Sequence, residues 1–143
     1  MYEYGKWSFI DLRKSDDHRG TLLFTETPKD VPFTIQRVYV LTNSENKRER
    51  GNHAHRNLKQ FMFALGGSFR INLNNGEVNE TFTLYPCDKA VYISGLVWRS
   101  LIPQEESSTL VVLASDVYSE NDYIRDYKEF RSIANTLHDK KRK

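Results

Sequence analysis

The feature that most limits what this chain can become is a succession of short apolar runs, each closed by turn residues. The runs are Thr21–Thr25, Phe33–Leu41, Gln60–Leu65, Ser68–Leu73, Glu80–Tyr85, Ala90–Ile93, Trp98–Ile102 and Thr109–Ser115. Between them stand Asp16-Asp17 with Gly20, the polar stretch Thr42–Asn52, Gly66-Gly67 and Asn74-Asn75-Gly76, all turn or loop signals. Runs this short cannot each be a helix, and their regular succession predicts an all-β sandwich or barrel. Only Asp126–Leu137 has helical spacing, with Tyr127, Phe130, Ile133, Ala134 and Leu137 on one face. The expected organisation is one domain over residues 1–137, with residues 138–143 as a disordered basic tail.

Charge excludes one class of partner. The formal net charge is +2, but the last six residues hold four positive charges and one negative, which leaves the body at −1. A body of that charge is a poor nucleic-acid surface, which needs clustered Lys and Arg. Cys87 is the only cysteine, so no intrachain disulfide forms and a reducing cytoplasm is expected. The opening residues Met1–Trp7 lack the apolar core of a secretory signal, and no run approaches the ~20 apolar residues of a membrane helix.

The chemistry concentrates in Arg50-Gly51-Asn52-His53-Ala54-His55, followed by Gln60 and Gly67. Two histidines two residues apart on a strand point to one side of the sheet. From His55 to Gln60 is an odd step, so an irregularity near Arg56–Lys59, with Asn57 as its natural place, is needed to bring Gln60 to the same side.

This run resembles the first motif of the cupin jelly-roll barrels, in which a glutamate normally stands where Gln60 does. Tyr92–Arg99 resembles the second cupin motif, with Arg99 at the place of the third metal-binding histidine. Two imidazoles, an amide and a guanidinium make a poor divalent-metal site, so no metal and no other cofactor is expected.

The chain is similar over about residues 7–131 to the dTDP-4-dehydro-6-deoxyglucose 3,4-ketoisomerases. The matching stretches are Asp17-His18-Arg19-Gly20, Pro32–Tyr39, Arg50–His55, Val97-Trp98, Val112–Asp116 with Tyr118, and Asp122-Tyr123-Ile124-Arg125 with Tyr127. Relatives often carry a histidine where this chain has Arg99. The resemblance implies a cupin jelly-roll barrel with a short C-terminal helix, and a homodimer. It also implies a reaction in which a 4-keto sugar becomes a 3-keto sugar through an enediolate. Such a reaction needs a base near the working pH and donors aimed at the developing oxyanion. The product would serve an aminotransferase making a 3-amino-3,6-dideoxyhexose for surface glycans.

On that resemblance His55 is assigned as the base between C3 and C4, and His53 as its orienting partner. Arg37 and Tyr39 share a strand face. Either Tyr39 donates to the sugar oxygen and Arg37 holds a charged group, or they are a packing aromatic and a rim charge. Arg50 holds a charged group or supports the turn before His53, and Gln60 bonds an imidazole or the sugar. Trp98 walls the barrel, and Arg99 lies at the substrate. Arg125 with Tyr123 is the expected nucleotide diphosphate contact. The pair Arg19-Gly20 points to the galacto configuration at C4. Two other readings stay open: a 3,5-epimerase on the same dTDP sugar, and a non-catalytic cupin that binds a sugar or a metal.

Overall fold

The computed structural model describes residues 3–143. One five-stranded antiparallel sheet contains β1 (Trp7–Asp11), β4 (Arg37–Leu41), β6 (Gln60–Gly66), β9 (Lys89–Ile93) and β11 (Thr109–Ala114), in the order β1-β9-β6-β11-β4. A second contains β5 (Arg50–His55), β7 (Phe69–Asn74), β8 (Asn79–Leu84), β10 (Trp98–Pro103) and β12 (Tyr123–Ile124), in the order β12-β5-β10-β7-β8. The hairpin of β2 (Arg13–Asp17) and β3 (Gly20–Phe24) is a separate two-stranded sheet. The described residues are thus all-β with one α-helix at the C-terminal end, as expected, and the large strands form two facing sheets.

The core lies between the two large sheets. Met62, Val91, Ile93, Leu110 and Val112 from the first meet Phe69, Ile71, Leu73, Leu84 and Leu101 from the second, all buried. The first sheet is also covered outside. There Phe61, Phe63, Val111 and Leu113 pack with Val31, Leu23, Phe33 and Ile35. A strand buried on both faces carries apolar residues at every position, which is why β6 reads Phe61-Met62-Phe63-Ala64 without alternation. The same covering shortens the run expected over Phe33–Leu41. Phe33 and Ile35 fold over the sheet, and only Arg37–Leu41 pairs with β11.

The helix α1 spans Tyr127–Arg142, with the Asp126 carboxylate accepting from the Lys128 amide at its N-terminus. It packs Phe130 and Ala134 onto Ala54 and Ile124 behind the second sheet. This corrects the disordered tail expected over residues 138–143. His138 is buried and its Nε2 donates to the Asn75 carbonyl at 2.9 Å, while the Arg142 guanidinium donates to Glu77 Oε1 at 2.7 Å. Both partners sit in the turn between β7 and β8, so polar contacts carry the last turns of a helix whose apolar stripe ends at Leu137. Among the described residues no helix is long and apolar enough to cross a membrane.

Candidate active site

Alternation on three strands builds one cavity between the sheets. From β4 it takes Arg37, Tyr39 and Leu41, while Val38 and Val40 point out to solvent. From β10 it takes Arg99 and Leu101. From β5 it takes Gly51 and His53, beside Arg50 and with Tyr123 of β12 closing one side. The pairing of β5 with β10 shifts register between Arg99 and Ser100. There Gly51 has φ +91°, and a Cβ on it would lie 2.7 Å from the Arg99 carbonyl oxygen. Only glycine permits that approach, and it sets His53 opposite Arg99 across the ladder.

The irregularity needed after His55 is a bend at Arg56-Asn57 that carries the chain from the second sheet to the first. Gln60 therefore returns to the interior from the opposite sheet. Its Nε2 donates to Tyr39 Oη at 2.8 Å, and its Oε1 accepts from Arg99 Nη1. With Gln60 feeding the phenol's lone pair, the Tyr39 O–H proton stays free for a ligand. Burial pushes the Tyr39 phenol above its ordinary value, so it remains a donor.

Arg99 is the unusual member. It is 1 % exposed. Nη2 donates to the Val97 carbonyl at 2.9 Å, and Nε is buried with no partner. No carboxylate bonds it. Burial lowers its affinity for the proton to a value of about 10, yet it stays charged at neutral pH. Asp122 acts on it only from a distance, and a buried cation with no carboxylate bonded to it can receive an anion.

The two histidines occupy different depths. His53 lines the cavity, and the Gly51 backbone holds its ring. Burial, and then Arg99, lower it to about 4, so the imidazole is neutral. His55 is 1 % exposed and does not line the cavity. Its ring stands edge-on to His53 with centroids 4.9 Å apart, and Nδ1 donates to Asp122 Oδ2 at 3.0 Å. Burial, with Arg99 next, also pushes His55 below its ordinary value. Of the pair, His53 presents its ring to the cavity, whereas His55, the residue expected as the base, lies behind it.

Other expectations also move. Trp98 points to the opposite face from Arg99 and packs on Tyr127 and Phe130 of α1, at 5.2 and 5.6 Å, so it anchors the helix instead of walling the cavity. Arg19 and Gly20 lie at the tip of the β2–β3 hairpin, outside the cavity, with the Arg19 side chain 80 % exposed and paired to Asp17 at 2.6 Å. Arg125 lies over the Tyr123 ring at 4.2 Å, but its guanidinium is already bonded to Glu120 at 2.7 Å. Arg37 is better placed for a ligand's charge: it lines the cavity, and its Nε is buried and unpartnered. The cupin metal position does not fit a divalent cation here. The Gln60 oxygen is bonded by a guanidinium, and among the described residues no three of His, Cys, Asp or Glu converge.

Residues 5–135 match the family described as WxcM-like, C-terminal, of the FdtA type. The chain is 37 % identical over 122 residues to the TDP-4-oxo-6-deoxy-alpha-D-glucose-3,4-oxoisomerase of Aneurinibacillus thermoaerophilus, covering 85 % of this chain and 88 % of that one. The chain belongs to the sugar nucleotide 3,4-ketoisomerase family. The fold agrees. The WlaRB TDP-quinovose 3,4-ketoisomerase of Campylobacter jejuni superposes with a TM-score of 0.83 at 39 % identity, over 88 % of this chain and 97 % of that one. A His-to-Asn mutant of the 3,4-ketoisomerase QdtA of Thermoanaerobacterium thermosaccharolyticum, in complex with TDP-4-keto-6-deoxyglucose, gives a TM-score of 0.87 at 34 % identity, covering 91 % and 94 %. As a member of this ketoisomerase family the protein is an isomerase. Asp122, absent from the expected site, lies in a stretch that matches the family, but an isolated Asp carries no sign of which ring it will hold.

Proposed function

We propose that the protein converts dTDP-4-dehydro-6-deoxy-D-glucose to the dTDP-3-dehydro-6-deoxyhexose. The observation that carries this reading is the buried Arg99, with no carboxylate bonded to it, on the wall that also presents a neutral imidazole and a free phenol proton. His53 takes the proton from C3, and the electron pair moves into the C4 carbonyl to give an enediolate. Tyr39 donates to the oxyanion and Arg99 balances its charge. The hydroxyl proton passes from O3 to O4, and the protonated His53, its ring N–H exchanging with solvent in the open cavity, protonates C4 as the carbonyl forms at C3. Nothing is oxidised or reduced overall, so no redox cofactor enters the balance. The cavity of about 270 Å³ takes the sugar ring and leaves the nucleotide at the mouth near Arg50 and Tyr123. The product suits an aminotransferase that makes a 3-amino-3,6-dideoxyhexose.

Incubation with the dTDP keto sugar in deuterated water, followed by NMR, tests this. Deuterium at C4 and a carbonyl at C3 are expected. A retained C4 carbonyl with deuterium at C3 and C5 is the result of a 3,5-epimerase and overturns the proposal, as does the absence of exchange.

The functional unit in this reading is a homodimer. Leu22 and Phe24 on the β2–β3 hairpin and Val38 and Val40 on the edge strand β4 leave apolar side chains in solvent that a second copy would cover. The galacto configuration at C4, supported by Arg19-Gly20, then depends on a hairpin tip reaching the partner's site. Sedimentation of the purified protein at twice the chain mass is expected, and a monomer at all micromolar concentrations sinks this part.

A further inference from the structure

Asp122 takes no part in the steps above, yet it makes four hydrogen bonds to the four residues that follow Ala54. Its backbone carbonyl accepts from the Arg56 amide at 2.8 Å. Its Oδ1 accepts from the Asn57 amide at 2.8 Å, and its Oδ2 from the Leu58 amide at 3.3 Å and from His55 Nδ1 at 3.0 Å. One carboxylate therefore closes the bend between β5 and β6 and grips the ring at the start of that bend.

The grip selects a tautomer. An ionised carboxylate only accepts, so His55 must carry its proton on Nδ1. Nε2 is then a bare lone pair, and that atom is buried with no partner. The opposite tautomer would bury an N–H with no acceptor there, and would turn two acceptors toward each other at Asp122. Both faults favour rotation of the ring. The His55 ring cannot turn without consequence, because it forms one corner of a triangle of rings with Tyr123 at 4.4 Å and His53 at 4.9 Å, those two being 5.0 Å apart. His53 in turn has only the Gly51 backbone and these aromatic edges to hold its orientation in the cavity.

We propose that Asp122 is a positioning residue: it holds His55 as the neutral Nδ1–H tautomer, and through that ring fixes the cavity-facing imidazole of His53. This rests on the reading of His53 as the base. Asp122→Asn must set an NH₂ group either against the Asn57 amide or against the Leu58 amide and His55 Nδ1, so it no longer holds the Nδ1–H tautomer exclusively. Partners of this kind behind a working histidine are worth on the order of 10–100-fold.

The test is ¹⁵N NMR of the histidine rings together with steady-state kinetics on the dTDP keto sugar. In the unaltered protein His55 is expected as Nδ1–H. In D122N a population of Nε2–H is expected to appear, with kcat down on the order of 10–100-fold and KM within about threefold. Asp122→Glu serves as the second variant. It keeps the tautomer but displaces the ring, and its kcat is expected to fall with the His55 shifts still those of Nδ1–H. An Nε2–H tautomer in the unaltered protein overturns the proposal, as does full turnover in either variant. The tautomer readout needs no substrate. If the unaltered protein fails to isomerise the dTDP sugar while the tautomer switches as described, the substrate reading is what fails.

Discussion

His53→Asn is expected to abolish isomerisation while leaving nucleotide binding intact. A positioned base contributes roughly 10²–10⁴-fold, and His53 is the imidazole that lines the cavity. Asparagine preserves the side chain's size and polarity but cannot take a proton. The measurement is a pair: turnover of the dTDP keto sugar, and calorimetric binding of dTDP. Turnover within tenfold of the unaltered protein would remove His53 from the chemistry, and the expected order, with His55 as base, would return. The pH profile adds a second check. Burial holds His53 at about 4, so the base is already deprotonated at neutral pH. Then kcat/KM stays flat as pH falls from 7 and declines only as it nears that value. Stability runs on a different window. Both histidines are pushed below the ordinary value of 6.5, so the unfolded chain binds more protons than the folded one just below it. Their contribution to stability is complete above 6.5 and is lost as pH falls toward 4. Initial rates after a brief pH jump separate the two effects.

Arg99→Met is expected to lower kcat on the order of 10²–10³-fold, the scale for loss of a preorganised oxyanion partner, without lowering the melting temperature in proportion. A base as weak as His53 can remove a carbon-bound proton only if the resulting anion is strongly stabilised, and Arg99 is the buried charge at hand. That charge costs the free protein stability, since burial disfavours it, no carboxylate is bonded to it, and the more distant Asp122 offsets only part of that cost. Methionine fills much of the volume and removes the cost, although Gln60 Oε1 then loses its donor. A melting temperature within a few degrees of the unaltered protein, or above it, together with lost turnover is the expected pattern. Unfolding with activity lost in step would make Arg99 a structural residue.

Periodicity was sufficient to read the sheets but not their edges. β6, β7, β9, β10 and β11 stand within a residue or two of the runs that announce them, because their apolar residues meet in one core. β1 and β12 gave no run. β1 lies at a sheet edge with much of its length exposed, and β12 is two residues long. The last turns of α1 were invisible for a related reason, since their anchors are Asn75 and Glu77 rather than an apolar stripe. In the site, alternation grouped Arg37 with Tyr39 and His53 with His55, but spacing along a strand says nothing of depth. Which imidazole meets the cavity is decided by Asp122, at the end of a 3₁₀ turn, and Tyr123, at the start of β12, which arrive nearly seventy residues downstream and hold His55. Trp98 was misplaced because one step of parity beside Arg99 separates the interior from the face under α1.

The bond between Gln60 and Arg99 makes the two positions hostages of each other. Glutamate at 60, the residue common in cupins, would give Arg99 the bonded counter-ion it lacks and quench the charge meant for the substrate. Histidine at 99, which ketoisomerase relatives often carry, would replace the fork of donors on Gln60 by a single ring N–H. The two positions are therefore unequal on the way to a metal-binding barrel: a change at 99 stays within what ketoisomerase relatives carry, whereas a carboxylate at 60 neutralises the charge that faces the substrate.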